Sequence, residues 1–267
     1  MLDGERARLW RSLGLGPIWV RRENAPLAPA AGAATTAVGR ASCMASEGVV
    51  VEGPGRPASL SGPEPAPAPG NAGGLGWEAL EASVAACTRC ALSRSRTQTV
   101  FGVGSRQAPW LVVGEAPGAE EDARGEPFVG QAGRLLDRML EAAGLSRSGT
   151  GDAAVYIANV LKCRPPGNRN PEPDEVRCCE PYLRRQIELL APRLILVMGR
   201  FAAQSLLGSE ASIAALRGRA HPLVFGGRTV PVVVTYHPAY LLRNLGDKAK
   251  VWADLCLARE VFESQPG

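Results

Sequence analysis

Short runs of apolar residues alternate with longer amphipathic stretches from Trp77 onward. Four runs are apolar at successive positions, which is typical of strands buried on both faces of a sheet; they cover residues 110–114, 155–161, 193–199 and 231–235. The stretches around them have apolar residues at helical spacing and predict helices near 77–86, 131–143, 174–190, 200–207 and 247–263. This alternation predicts a three-layer α/β/α fold with a four-stranded parallel sheet. Residues 223–230 resemble a hairpin that leads into the fourth strand.

The first 76 residues have a different composition. Residues 1–22 include a short basic amphipathic helix over 5–22, which either docks a protein partner or DNA or has no role of its own, since short helices need tertiary support. Residues 23–76 are rich in Ala, Gly, Pro and Ser and contain no aromatic residue. Such a segment cannot bury enough apolar surface to offset the entropy of ordering. We therefore predict a disordered linker over 23–76 and a folded domain over 77–265.

Polar side chains directly follow three of the predicted strands. Glu115, Asn159 and His237 each come at the end of an apolar run. Because the carboxyl ends of parallel strands share one edge of a sheet, a carboxylate, an amide and an imidazole are expected in one crevice. The glycine-rich loop over 114–130 is typical of a ligand-binding loop, although an ordinary strand-to-helix crossover has the same features.

Composition and charge narrow the classes of function. The chain has 267 residues, a net charge of +4 and a pI near 8.8, so a nucleic-acid partner is permitted but not required. No apolar run approaches the ~18 residues of a membrane span, and residues 1–19 lack the pattern of a signal peptide. We therefore expect a cytoplasmic protein with no membrane partner, and a monomer by default. Seven cysteines in a reducing compartment indicate a metal site rather than disulfides.

The cysteine spacing favours a four-thiolate site. Cys87 and Cys90 form a CxxC pair, and Cys163 and Cys179 lie farther along the chain. Four thiolates can bind zinc or an iron–sulfur cluster, whereas the alternative is that these are buried free cysteines. Cys178 is adjacent to Cys179, and helical neighbours point about 100° apart, so only one of the two is expected to reach a metal.

Three separated motifs resemble one known family. They are GEAPG at 114–118, NVLKCRPP at 159–166 and HPAYLLR at 237–243. Together with the cysteines they look like the family 4 uracil-DNA glycosylases, over about residues 77–262. The resemblance implies a four-stranded parallel sheet between helices, a [4Fe–4S] cluster, and hydrolysis of the N-glycosidic bond of uracil in DNA. The reaction would release uracil, leave an abasic site and initiate base excision repair, which would place the protein at the nucleoid.

The resemblance also assigns roles to individual residues. The implied cluster ligands are Cys87, Cys90, Cys163 and Cys179. The implied catalytic residues near the sugar, the water and the uracil O2 are Glu115, Glu121 and His237, and the implied substrate-binding residues are Ala116, Phe128, Asn159 and His237. Two leucines of the third motif are apolar enough to fill the space that a flipped base leaves, unless they simply pack in the core, and the next residue could hold a phosphate; these DNA-binding candidates are Leu241, Leu242 and Arg243.

The chemistry of uracil suits this set. An asparagine carries a donor and an acceptor in one plane, so Asn159 could pair with both O4 and N3–H of uracil. Other branches of the superfamily have an aspartate where this chain has Ala116, so Glu121 or a water held by the backbone would have to serve. A related branch captures uracil-DNA covalently through a histidine after the asparagine motif. No histidine occurs there in this chain, which favours turnover. The alternatives are an iron–sulfur protein that binds uracil-DNA without turnover, and a zinc-stabilised scaffold.

Overall fold

The computed structural model describes residues 72–265. The predicted helix over 5–22, and the predicted linker over 23–76 except for residues 72–76, lie outside the described part. Within 72–76, Ala72 is buried and the carbonyl oxygen of Leu75 accepts a hydrogen bond from Nε of Arg185 at 2.7 Å. The packed part of the chain therefore includes residues ahead of Trp77, where the sequence placed the start of the domain.

One mixed sheet forms the centre of the fold. Its strands lie in the order β1-β3-β2-β4-β6-β5, and the middle four are parallel while β1 and β5 pair antiparallel at the edges. The strands are β1 (Val103–Gly104), β2 (Trp110–Gly114), β3 (Val155–Asn159), β4 (Leu194–Met198), β5 (Ala220–Phe225) and β6 (Arg228–Thr235).

The four predicted strands are the four parallel ones, but the predicted total of four is not confirmed, because the sheet has six strands within residues 72–265. The predicted hairpin adds β5, through a two-residue turn in which Gly226 and Gly227 both have positive φ, at 54° and 77°. Two left-handed residues are what the tight turn of a hairpin requires. The other edge strand, β1, has only two residues and leaves no pattern in the sequence.

Helices cover both faces of the sheet, as predicted. Leu136 and Leu255 pack on one face and Leu183 and Ala202 on the other, each among buried strand residues. No helix between residues 72 and 265 is both long enough and apolar enough to cross a membrane. The helices are α1 (Trp77–Ala85), α2 (Ala119–Arg124), α3 (Gln131–Ala142), α4 (Pro173–Leu190), α5 (Arg200–Leu207), α6 (Ile213–Leu216), α7 (Pro238–Leu241) and α8 (Lys248–Glu263).

Candidate active site

The carboxyl ends of β2, β3 and β6 open into one cleft of about 440 Å³. Glu115, Asn159 and His237 all line it, so the structure brings together the three polar residues that follow the strands. Its volume is in the range of pockets that bind small ligands. The predicted residues Ala116, Glu121, Phe128 and Arg243 also line the cleft, as do several that were not predicted: Pro117, Gly118, Ala132, Pro165, Asn168, Arg169, Ala239 and Tyr240.

Asn159 presents an unpaired acceptor in this cleft. Asn159 is only 2% exposed, and its Oδ1 has no hydrogen-bond partner among the described residues. An unsatisfied buried polar group costs about 1–3 kcal/mol. A ligand that donates a hydrogen bond to Oδ1 would remove that cost.

Gly114 leaves room for two of the cleft side chains. The register of β2 and β3 pairs Gly114 with Asn159. A Cβ atom at Gly114 would collide with Oδ1 of Asn159 and lie 2.7 Å from Cζ of Phe128. The amide and the ring can approach the end of β2 only because this residue has no side chain.

The ring of Phe128 stacks on the imidazole of His237, with centroids 5.4 Å apart and planes inclined by 27°. The backbone of Phe128 is left-handed, at φ 56°. This conformation costs a residue other than glycine about 1–3 kcal/mol and persists only where the surroundings hold it. The loop that carries Phe128 is therefore held by contacts outside the residue itself.

Glu121 supplies some of those contacts. Its Oε1 accepts hydrogen bonds from the backbone nitrogens of Val129 at 3.0 Å and Gly130 at 3.2 Å, and its Oε2 accepts one from Gly118 at 3.1 Å. The carboxylate thus joins the start of α2 to the loop that follows Phe128. The sequence did not predict α2.

Glu115 differs from Glu121 in its surroundings. Within residues 72–265 no group donates a hydrogen bond to its carboxylate. Burial raises the pKa of Glu115, and the nearby Arg200 opposes that shift. Of the two carboxylates in the cleft, Glu115 is the one whose oxygens have no hydrogen-bond partner among residues 72–265.

His237 is held as a neutral imidazole. It is the N-cap of α7, and its Nδ1 accepts a hydrogen bond from the backbone nitrogen of Ala239 at 3.1 Å. Because Nδ1 is the acceptor, the ring proton belongs on Nε2. Burial lowers the pKa of His237 to about 4; Arg243 contributes to that shift and Glu121 opposes it. At neutral pH the ring is therefore uncharged and has one N–H to donate.

The two leucines of the third motif lie in different places. Leu241 is only 1% exposed and packs in the core with Leu255, which favours the core-packing alternative for this residue. Leu242 is 42% exposed. Leu245, which was not predicted, is 63% exposed a few residues later. Arg243, between them, lines the cleft.

Five cysteines line a second cavity, next to α1 and α4: Cys87, Cys90, Cys163, Cys178 and Cys179. Within the described part of the chain, no three His, Cys, Asp or Glu residues lie close enough together to hold a single metal ion.

The two adjacent cysteines of α4 make different contacts. Sγ of Cys179 accepts a hydrogen bond from the backbone nitrogen of Lys162 at 3.1 Å, whereas the thiol of Cys178 donates to the carbonyl oxygen of Arg89 at 3.4 Å. Burial raises the pKa of Cys179 to about 12. Without added positive charge this thiol therefore stays protonated.

Cationic side chains surround the cysteine cavity. Arg89, Arg96 and Lys162 all line it, and Nη1 of Arg96 donates to Sγ of Cys163 at 3.0 Å. Nε and Nη1 of Arg89 are buried and have no hydrogen-bond partner among residues 72–265. A cavity with buried cations and neutral thiols is suited to an anionic group.

Comparison with known proteins agrees with the motifs and the fold. The sequence profile of the uracil DNA glycosylase superfamily matches residues 101–256, which is more than half of the chain. The chain belongs to this superfamily. Its similarity to the type-4 branch is high: it is 45% identical to the type-4 uracil-DNA glycosylase of Archaeoglobus fulgidus over 163 residues, which are 60% of this chain and 79% of the relative.

Two further relatives place the chain in the same branch. It is 42% identical to the type-4 uracil-DNA glycosylase of Sulfurisphaera tokodaii, over 62% of this chain and 76% of the relative. It is 40% identical to that of Saccharolobus solfataricus, over 67% of this chain and 83% of the relative. The resemblance inferred from the three motifs is therefore confirmed.

In this type-4 superfamily member, Lys162 connects the two cavities. Its side chain is buried, and its Nζ donates to the backbone oxygen of Asn159 at 2.8 Å and to Oε1 of Gln186 at 2.6 Å. Its own backbone nitrogen donates to Cys179. Asn159 of the cleft and Cys179 of the second cavity are thus joined through one residue, by its side chain and its backbone respectively. A lysine inside an apolar run, directly before Cys163, is the only sign of this role in the sequence.

Proposed function

We propose that this protein hydrolyses the bond between uracil and deoxyribose in DNA, which releases uracil, leaves an abasic site and begins base excision repair. One observation carries the proposal: the buried, unpaired Oδ1 of Asn159 lies in the same cleft as the stacked rings of Phe128 and His237. The names of the type-4 relatives support it. We expect the protein to act as a monomer in the cytoplasm, and the N-terminal extension is a candidate docking segment for a protein partner.

Asn159 would select uracil by its hydrogen-bonding edge. Uracil N3–H could donate to Oδ1 of Asn159, and Nδ2 could donate to uracil O4. Cytosine presents the reverse arrangement, so both partners would be lost, at about 1–3 kcal/mol for each unpaired group. The unpaired Oδ1 of Asn159 can accept a hydrogen bond from N3–H, a donor that uracil has and cytosine lacks.

Phe128 would hold the base after it leaves the duplex. A base inside a duplex cannot be reached, so the nucleotide must be flipped out at a cost of a few kcal/mol. Stacking on an aromatic ring returns about 1–3 kcal/mol of that. The cleft wall formed by Phe128 and His237 would supply the stacking surface.

His237 would stabilise the departing base. When the C1′–N1 bond breaks, its electron pair leaves with uracil and negative charge develops on O2. The Nε2–H of neutral His237 is suited to donate to that oxygen, as donors do in an oxyanion hole. Water then adds to the positively charged C1′ to form the C1′ hydroxyl, and the proton that it releases neutralises the departed uracil anion.

Glu115 is our candidate for the carboxylate that faces the sugar. Its oxygens accept no hydrogen bond from residues 72–265, so they can orient the water and stabilise the positive charge. Glu121 already accepts three backbone hydrogen bonds, and we assign it to holding the loop. Ala116 contributes only a methyl group to the cleft, so Glu115 would replace the aspartate that other branches have there.

We further propose that the cysteine cavity holds a [4Fe–4S] cluster through Cys87, Cys90, Cys163 and Cys179. The buried cations of the cavity fit a thiolate-ligated cluster, whose potential depends on net charge and on hydrogen bonds to sulfur. The ligand set favours a cluster over zinc because one CxxC pair combines with two scattered cysteines, whereas zinc modules more often use two close pairs. When bound, the cluster would cross-link α1, the segment after β3 and α4. Cys178 is excluded from the ligand set because its thiol faces a backbone carbonyl.

The decisive experiment measures free uracil and abasic sites produced from an oligonucleotide with one uracil opposite guanine. The wild-type protein should release uracil, and Asn159→Ala should lower kcat/KM by about 10²-fold or more because two hydrogen bonds are lost. Asn170→Ala, at an exposed position, is the matched control and should behave as wild type. Tight binding without an abasic product, or a denaturant-resistant adduct, would favour the alternative of a uracil-DNA binder without turnover.

A further inference from the structure

One arginine outside the cleft, Arg147, forms hydrogen bonds to the loop that carries Phe128. Nη1 of Arg147 donates to the backbone oxygen of Pro127 at 3.2 Å, and Nη2 donates to the backbone oxygen of Phe128 at 3.0 Å. The same guanidinium pairs with Glu126 at 3.1 Å and with Asp137 of α3 at 2.8 Å. Its side chain is only 18% exposed, so these contacts are largely shielded from water.

These contacts hold the strained part of the loop. Phe128 has a left-handed backbone, and its carbonyl group packs directly against Cα of Gly133 in the first turn of α3. The position of that carbonyl fixes the orientation of the Phe128 peptide. Arg147 holds the carbonyls of residues 127 and 128, whereas Glu121 holds the amides of Val129 and Gly130. Hydrogen bonds thus hold the backbone before and after the strained Phe128.

We infer that Arg147 is a positioning residue for uracil binding, which keeps Phe128 in the conformation that stacks on the flipped base. This inference rests on the proposed function. Arg147 does not line the cleft, so it would act through Phe128 without contact to the substrate. Without the arginine, the loop would populate other conformations, and apparent affinity falls in proportion to the competent fraction.

The alternative is that Arg147 is an ordinary ion pair between the loop and α3. In that case its removal would lower the melting temperature and leave uracil binding by the folded protein unchanged. Binding of free uracil separates the two, because it depends on the pocket and not on contacts to the DNA backbone.

The test compares Arg147→Gln with Arg138→Gln in the full chain. Arg138 is a matched control on α3, since its side chain is 56% exposed and, among residues 72–265, forms an ion pair only with Glu141. We would measure kcat and KM on the uracil oligonucleotide, the dissociation constant of free uracil by ligand-observed NMR, and the melting temperature. For Arg147→Gln we expect KM and the uracil dissociation constant each to rise about tenfold, with kcat changed by less than about twofold, because a stack present in both ground and transition states is lost. Arg138→Gln should leave all of them unchanged.

A double-mutant cycle shows whether the effect passes through Phe128. In a Phe128→Ala background, Arg147→Gln should raise KM by less than about twofold, since there is no ring left to position. An equal rise in both backgrounds, or an unchanged uracil dissociation constant in Arg147→Gln, would overturn the inference.

A conservative variant covers the case in which Arg147→Gln does not fold. Arg147→Lys keeps the charge for Glu126 and Asp137 but lacks the planar fork that reaches two carbonyls at once. We expect a smaller rise of the uracil dissociation constant, about threefold, and no rise would contradict the inference. A wild-type protein that releases no uracil would instead contradict the proposed function, so the two failures are distinct.

Discussion

The ring of Phe128 and the imidazole of His237 lie stacked, with centroids 5.4 Å apart, although one comes from the loop after α2 and the other from the end of β6. A base bound against Phe128 is therefore bound beside His237 as well. In the proposed reaction, stacking and stabilisation of the leaving group therefore depend on the same local packing. A change that displaces both rings should impair both.

Gly114→Ala tests this dependence without altering a polar group. The new methyl would overlap Oδ1 of Asn159 and lie 2.7 Å from Cζ of Phe128. Displacement of a reacting group by about 1 Å costs about 10²-fold in rate, so we expect kcat/KM for uracil release to fall by about that factor. Gly76→Ala is the control, because no atom lies within 4 Å of a Cβ there. A Gly114→Ala protein with normal kcat/KM would show that the cleft is not packed around this residue.

The pH dependence of kcat should show one acidic limb that belongs to Glu115. Burial raises the pKa of this carboxyl above its ordinary value near 4.5, so the charge is lost, and activity falls, as the pH drops through that raised value. His237 should give no limb near 6.5, because burial lowers its pKa to about 4 and it is neutral throughout the neutral range.

In the variant Glu115→Gln, the plateau of kcat should be lower and the acidic limb of the pH profile should be absent. Glu120→Gln, at an exposed position, should keep the wild-type pH profile. The measurement is kcat for uracil release between about pH 4 and 8, a range that includes the ordinary pKa values of carboxyl and imidazole groups. A limb near 6.5 that disappears in His237→Gln would contradict the assignment of His237 as a neutral donor.

The sequence predicted the parallel centre of the sheet because its strands are continuous apolar runs, such as β4. Of the two edges, it predicted β5 through the hairpin over 223–230, although β5 begins at Ala220 and is half exposed, with burial that alternates along the strand. It did not predict β1, which has two residues, too few for any period. The helix α2 was missed because it has only six residues, most of them polar and exposed. Its N-terminus is capped locally by Glu121, which accepts a hydrogen bond from the backbone nitrogen of Gly118.

The site was predictable where a residue follows a strand, as Asn159 does, and not where its role depends on a distant partner. Arg147 and Lys162 bind backbone carbonyls, which leave no trace in side-chain patterns. The adjacent Leu241 and Leu242 are equally apolar, and only the rotation of about 100° per helical residue decides which of them is buried.

The neighbouring cysteines of α4 give a matched pair for the proposed cluster. Cys179→Ala should lose the visible absorption and most of the iron, since Sγ of Cys179 faces the cavity and accepts a hydrogen bond from Lys162. Cys178→Ala should retain both, because that thiol donates to the carbonyl of Arg89. Iron content and the visible spectrum of the purified proteins are the measurements. Equal loss in both variants would contradict the assignment, and bound zinc in colourless wild-type protein would favour the zinc-stabilised scaffold.

Substitution of the two leucines of the third motif, one at a time, should distinguish insertion into DNA from packing in the core. Leu242→Ala should reduce uracil release from duplex DNA about tenfold more than release from a single strand, because an exposed wedge helps only where bases must be unstacked. Its melting temperature should stay at the wild-type value.

Leu241→Ala should instead destabilise the protein by about 2–5 kcal/mol, as removal of a buried leucine does. Val224→Ala, at a position 71% exposed in β5, is the control for an exposed apolar residue and should change neither quantity. If Leu242→Ala affects duplex and single-stranded substrates equally, Leu242 does not act as a wedge, and the exposed Leu245 becomes the residue to test.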